Sequence, residues 1–209
     1  MTLPEFAKWP SIQRLSSETV FLTEKIDGSN GIIYVPEDPA LPVLAGSRER
    51  WLSNEDGTPP EKKNDNFGFG AWVYDRRESL RQLGPGYHYG EFHGAGIQRR
   101  YDLKNKRWAS FEYWRDDIAI PDVCVVPVLF TGEPTILLFD ACIQRLIDEG
   151  SVLYPGFMKP EGIVITFKNM KRCSFKKLCE NDKIHKSQQP DVDPNQYAKW
   201  AEAAGATPV

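Results

Sequence analysis

Apolar positions along this chain fall mainly into short runs rich in β-branched and aromatic residues, bounded by turn formers. Segments 19–25 (TVFLTEK) and 31–35 (GIIYV) read as two strands joined by a DGSN turn. Shorter strand-like runs follow at 87–92, 108–114, 123–129, 162–167 and 173–178. A helical period shows at two places. Over 67–83, Phe67, Ala71, Tyr74 and Leu80 are expected to share one face. Over 135–148, Leu138, Cys142, Ile143, Leu146 and Ile147 recur at helical spacing, and Gly150 supplies a stop. The polar stretch 52–66 reads as a surface loop, and SQQPDVDPNQ, from about Ser187, as a linker before a short terminal helix at 195–204. Strands outnumber helices and mostly follow one another, which predicts an α+β fold with antiparallel sheets.

Composition narrows the class. The 209 residues are 41% hydrophobic, enough for one large domain or two small ones, and this rules out wholesale disorder. No apolar run approaches the roughly 20 residues of a membrane helix, and MTLPEFAKWP has no apolar signal core. Cys124, Cys142, Cys173 and Cys179 show neither CxxC pairing nor zinc-ligand spacing, so reduced thiols and a cytoplasmic location are expected. With 26 Lys+Arg against 29 Asp+Glu the net charge is -3, which by itself argues against grip on nucleic acid by bulk charge. The average hides a pattern. Residues 99–108 carry net +4 and 168–186 net +5, leaving -12 for the rest. A phosphodiester substrate needs such basic strips beside its site.

Chemistry concentrates in Glu24-Lys25-Ile26-Asp27-Gly28-Ser29-Asn30, where a lysine ends an apolar strand and a tight turn pins it in place. On spacing alone this also describes a surface lysine before a β-turn. Other motifs lack their context. His88 and His93 give H-x-x-E-x-H, but not HExxH order, and on a strand they face opposite sides. Neither GxGxxG after a strand, nor GxxxxGK[ST], nor GxSxG occurs.

What decides is the company Lys25 keeps. EKIDGSN is followed by Ser47-Arg48, YGEFHGAGIQ with Glu91, SFE with Phe111, PEGIVI with Glu161, and FKKLCEND with Lys176. In this order the blocks resemble the covalent nucleotidyltransferases, and most closely the RNA ligase family, in the branch that holds the second RNA ligase of T-even phage and the kinetoplastid editing ligases. The resemblance covers about residues 19–183. It implies a nucleotidyltransferase (ATP-grasp-like ligase) domain over 1–186, two antiparallel β-sheets with flanking helices and the nucleotide between them. It also implies ATP-dependent joining of RNA 5′-phosphate and 3′-hydroxyl ends through a lysyl-AMP intermediate, with Mg²⁺ (or Mn²⁺) as the metal.

By the same resemblance Lys25 is the nucleophile. An ordinary lysine has a pKa of about 10.4, so burial and a neighbouring cation would favour the reactive neutral amine. Lys176, with Lys177 beside it, can supply that cation and meet the α-phosphate. Glu91 would accept ribose hydroxyls, and Glu161 would hold the metal or its waters, as hard cations prefer carboxylate oxygen. Asp27 either orients the lysine or metal waters, or only makes the turn. Phe111 takes the place of an adenine-stacking aromatic, though Trp108, Tyr113 and Trp114 mark a core-strand alternative. Arg48, with Arg50 as competitor, would contact sugar or phosphate. Asn30 and Glu24 would line the nucleotide pocket.

One departure stands out: many relatives carry Lys-x-Lys in the last block, whereas Phe175-Lys176-Lys177-Leu178 puts leucine at the second position. Either Lys177 substitutes or Lys176 acts alone. Aiming the same lysyl-nucleotide chemistry at DNA or at a cap, and a degenerate binding module without turnover, are the alternatives. The expected partner is RNA and not a membrane, for a bacterial or phage-encoded monomer, with room for a protein that recognises ends. The length left after about Ser187 is too little for the C-terminal substrate-binding domain of larger ligases, which predicts good self-adenylation but poor unassisted sealing.

Overall fold

The structure is a computed structural model and describes residues 18–169 and 174–180. Two sheets organise it. Strands β1 (Val20–Lys25), β7 (Val128–Gly132), β8 (Gly162–Phe167) and β9 (Ser174–Leu178) form a four-stranded antiparallel sheet in the order β7-β1-β8-β9. Strands β2 (Ser29–Val35), β3 (Leu44–Gly46), β4 (Gly86–Gly94), β5 (Lys106–Ser110) and β6 (Val123–Val125) form the second in the order β3-β2-β4-β5-β6. Its pairings are antiparallel except β5 with β6. The expected α+β class with antiparallel sheets and flanking helices is what the chain adopts.

Each sheet buries one face against a helix. Helix α1 (Phe69–Leu80) packs Phe69, Trp72 and Val73 on Ile33, Val35, Phe92 and Trp108 of the five-stranded sheet. Asp65 caps its first turn, accepting from the N–H groups of Gly70 (2.7 Å) and Ala71 (3.0 Å). Helix α2 (Ile136–Glu149) packs Cys142, Ile143 and Leu146 on Val20, Leu22, Ile163 and Ile165 of the four-stranded sheet. The Thr135 hydroxyl caps α2 on Leu138 N–H, and Gly150 ends it at a positive φ of 83°. A third apolar cluster joins the sheets: Ile26, Tyr101, Ala109 and Val126, with Tyr154 and Phe157 against them.

The differences from expectation have local causes. Gly68 is left-handed (φ 79°), so α1 starts at Phe69 and its buried face is Phe69, Trp72, Val73 and Leu80. Phe67, placed on that face by sequence, is 46% exposed. On α2, Ile147 lies at the exposed flank. The single strand expected at 123–129 is two strands in different sheets. Pro127, with no N–H to donate, sits at the crossing, and its carbonyl accepts from Glu24 N–H at 3.0 Å. The linker and terminal helix expected at 187–209, and Cys173, lie outside the described residues. Cys124, Cys142 and Cys179 are free. Among the described residues no helix is long and apolar enough to cross a membrane.

Candidate active site

Lys25 is the last residue of β1, and Ile26, 2% exposed, plugs into the cluster between the sheets. That plug holds the turn, leaving Lys25 and Asp27 on the floor of an open cleft. Gly28 has no room for a side chain: a Cβ there would lie 2.3 Å from the Phe92 carbonyl oxygen. The close approach lets Gly28 N–H donate to Glu91 Oε1 at 3.0 Å. Register does the rest. Lys25 pairs with Gly162 on β8, so Glu161, just before that strand, lies alongside it. Lys25 Nζ donates to Glu161 Oε2 at 2.6 Å.

The other wall comes from the five-stranded sheet. Asn30 pairs across strands with Glu91, and its amide donates to Glu91 Oε2 at 3.0 Å. Asn30 Oδ1 in turn accepts from Arg48 Nε at 2.9 Å and from the same guanidinium's Nη2. Glu91 is 8% exposed, and burial pushes its pKa up to about 7, with the Lys25 charge opposing the rise. Behind it, His93 donates from Nδ1 to the Glu91 carbonyl (3.0 Å) while Nε2 accepts from the Tyr154 hydroxyl (2.5 Å). Burial lowers the His93 pKa to about 4, so the ring is neutral and its tautomer is set by these two bonds. Lys25, Asp27, Asn30, Arg48, Arg50 and Glu91 line a cleft of about 490 Å³ with Ser47, Glu49 and Asn66, within the size range of small-molecule sites.

Asp27 is held by groups that sequence reasoning did not single out. Arg99 Nε donates to Asp27 Oδ2 (3.1 Å), and Asp27 N–H donates to the Tyr101 hydroxyl (2.7 Å). Arg99 also donates to the Lys159 carbonyl (2.9 Å) and sits 3.8 Å from Glu180. Gln98, Arg100, Tyr101 and Asp102 all have positive φ, so the loop that aims Arg99 and Tyr101 is strained. The only signal in the sequence was Arg99's place in the basic run directly after GIQ.

Two expected nucleotide-binding side chains point elsewhere. Glu24 alternates to the opposite face of β1 from Lys25 and is fully buried, its Oε2 accepting from Val152 N–H and Leu153 N–H, each at 2.9 Å. Burial raises its pKa. It braces the 151–153 backbone instead of lining the cleft. Lys177 pairs with Ile163, a residue of the α2-side core, and its ammonium bonds Asp140 of α2. Its ammonium is thereby turned to α2 and not to the cleft. Lys176 pairs with Val164 and so shares the face that carries Lys25 and Thr23. Phe111 lies beyond the cleft lining, 39% exposed, with its N–H on the Tyr89 carbonyl at 2.8 Å.

His88 and His93 face opposite sides of β4, as alternation predicts: His88 meets Glu112 and Gly84, His93 meets Tyr154. No group of three or more His, Cys, Asp or Glu among the described residues is placed to hold a metal. Glu161 and the Asp27 oxygen not used by Arg99 fit a hard cation that takes its remaining ligands from water and phosphate, but not a closed protein cage.

The RNA ligase family model matches residues 18–178, most of the chain, including Lys25, Glu91, Glu161 and Lys176. The chain belongs to the RNA ligase family. No curated protein matches it by sequence. Among solved structures it is similar to an apo mutant RNA ligase of Naegleria gruberi, at 21% identity and TM-score 0.52, covering 84% of this chain and 57% of that one. A Naegleria gruberi RNA ligase mutant with AMP and Mn matches at 19% identity and TM-score 0.55, with the same coverages. Another, also with AMP and Mn, matches at 20% identity and TM-score 0.52, covering 78% and 50%. These likenesses establish the fold, and the chain spans between half and three fifths of the length of those ligases.

Proposed function

We propose that this protein is an ATP-dependent RNA ligase that carries AMP on Lys25. The observation that supports it most is the Lys25 amine on the cleft floor, 2.6 Å from Glu161 and facing the Asn30–Arg48–Glu91 network, in a chain of the RNA ligase family. The Lys25 nitrogen lone pair attacks the α-phosphorus of ATP, the bond to the bridging oxygen breaks, and pyrophosphate leaves. Glu161 is within reach to accept the proton that the amine must lose. An RNA 5′-phosphate oxygen next attacks the phosphorus of lysyl-AMP, returning the amine and giving a capped 5′-end. A 3′-hydroxyl then attacks the 5′-phosphate, AMP leaves, and a phosphodiester remains.

In this reading Glu91 accepts from ribose hydroxyls, Arg48 meets sugar or phosphate with donors that Asn30 leaves unused, and Lys176, on the Lys25 face of the sheet, meets the α-phosphate. Glu161 and Asp27 would hold Mg²⁺ or Mn²⁺, whose charge offsets that of the phosphates. The Naegleria gruberi complexes with AMP and Mn support this choice of nucleotide and metal.

The test is intact mass after incubation with ATP and Mg²⁺. One added AMP that survives denaturation is expected, on wild type and not on Lys25→Ala. Tight ATP binding without an adduct would instead favour a binding module without turnover. Replacing ATP with GTP, and RNA ends with DNA ends, separates this reading from capping and from DNA joining.

A further inference from the structure

The cleft wall of the five-stranded sheet continues past Glu91 as a row of aromatic rings. Cross-strand pairs on β2 and β4 run Asn30 with Glu91, Ile32 with Tyr89, and Tyr34 with Tyr87. Residues two apart share a face, so these three pairs stand on the side opposite Ile33 and Val35, which are buried against α1. Trp51 adds a fourth ring. It bridges to Gly46, the partner of Ile32, and a Cβ on Gly46 would meet the indole at 3.2 Å. Ring centroids lie 4.7 Å apart for Tyr34–Tyr87, 6.2 Å for Trp51–Tyr87 and 6.5 Å for Tyr87–Tyr89. Trp51 is 45% exposed, Tyr87 53% and Tyr89 52%. The strip thus starts one cross-strand pair beyond the polar floor of the site, about 7 Å away, and runs about 7 Å further.

We propose that this strip is a stacking track for a single-stranded end of the nucleic acid to be joined. The proposal rests on the ligase reading. The chemistry of the strip suits that occupant. The exposed groups are flat rings with polar tips, which offer a π-face to any base. Arg48 and Arg50 line the cleft, Arg50 directly before Trp51 in the chain with one guanidinium nitrogen on the Asn64 carbonyl, and they give a passing phosphate backbone positive charge beside the strip. At a stacked rise of about 3.4 Å per base, the strip has room for roughly two or three bases.

The experiment compares wild type with the Tyr87→Ala/Tyr89→Ala and Tyr87→Phe/Tyr89→Phe double variants. Three quantities are read: AMP adduct by intact mass, affinity for a short 5′-phosphorylated single-stranded oligoribonucleotide by fluorescence anisotropy, and sealing. The alanine pair is expected to form the adduct within about twofold of wild type. It should bind RNA at least about fivefold more weakly per tyrosine removed and seal correspondingly less. The phenylalanine pair, which keeps the rings, should restore binding. RNA affinity unchanged in the alanine pair overturns the proposal. So does a parallel loss of adduct and melting temperature, which would make the rings sheet packing only. A wild-type dimer that the alanine pair breaks without loss of RNA affinity also overturns it and assigns the face to a second copy. If wild type forms no adduct at all, the ligase reading fails, while anisotropy still decides the track.

Discussion

The two walls of the cleft hold their carboxylates in different ways. On the four-stranded sheet the Glu161 carboxylate has one hydrogen-bonded partner among the described residues, Lys25, and the Lys25 and Glu161 side chains both keep contact with water, at 22% and 16% exposure. On the five-stranded sheet Glu91 is fixed at both oxygens, by Gly28 N–H and the Asn30 amide, and braced from behind by His93 and Tyr154. A group that must break and remake bonds at phosphorus needs a partner it can leave. A group that positions a nucleotide works better if its orientation is settled before the ligand arrives. On the proposed function, the contrast divides reaction and recognition between the sheets.

The sharpest way to break that division is at Lys25. Lys25→Ala, and also Lys25→Arg, which keeps the charge but not the nucleophile, should reduce the AMP adduct to below detection while leaving ATP binding measurable. An adduct on either variant would remove Lys25 from the reaction. Glu161→Gln comes next. It keeps the shape and removes the carboxylate charge that would accept the proton and help hold the metal, and adduct formation should slow by about 10²–10⁴-fold in single-turnover kinetics at saturating ATP and Mg²⁺. A loss confined to ATP affinity would place Glu161 on the recognition side.

How far this site was legible follows from the period of a strand. Lys25, Glu91 and Glu161 come together because Lys25 ends β1, Glu161 precedes the strand paired with it and Glu91 faces the cleft from β4, and blocks such as KxDG and PEG mark those places. Lys176 shares the Lys25 face of its sheet but lies two strands away, outside the cleft lining. The same period explains the misses. Glu24 and Lys177 are chain neighbours of cleft residues, and in a strand a neighbour points to the other face. Glu24 therefore braces the backbone at 152 and 153, and Lys177 turns to α2. Arg99 and Tyr101 were hidden for a different reason. A loop with four positive-φ residues brings them onto Asp27, and nothing in the local composition of RRYD predicts that path. The split of 123–129 into two strands was readable at Pro127.

Stability against pH sharpens the same contrast, since the recognition wall contains two buried titrating groups of opposite sense. Glu91 has its pKa raised to about 7, so its stabilising contribution is complete below its ordinary value of 4.5 and is lost as pH rises through 7. His93 has its pKa lowered to about 4, so its contribution is complete above its ordinary 6.5 and is lost as pH falls through 4. Each amounts to about 3 kcal/mol, at about 1.36 kcal/mol per pH unit, and between 4.5 and 6.5 they oppose one another. Glu91→Gln removes one side of the balance. Urea unfolding of that variant should show a loss of about 3 kcal/mol between pH 6.5 and 4.5 relative to wild type. Parallel pH profiles for the two proteins would mean that Glu91 does not titrate in this range.

The smallest effect is expected on the two faces of β9, where one residue step separates chemistry from packing. Lys176 shares the Lys25 face, so Lys176→Met should slow adduct formation roughly tenfold, the order of one lost hydrogen bond to a charged phosphate, and leave the melting temperature near wild type. Lys177 bonds Asp140 on the α2 side, and the two side chains are 25% and 13% exposed. Lys177→Met strands a mostly buried carboxylate and should cost about 1–2 kcal/mol of stability, between the values for surface and buried pairs. Its adduct rate should stay within about twofold of wild type, and pairing it with Asp140→Asn should recover most of the lost stability. If Lys177→Met instead slowed the adduct and left stability alone, the second cation of the family's last block would be Lys177 after all, and β9 would have to twist in the nucleotide complex to present it.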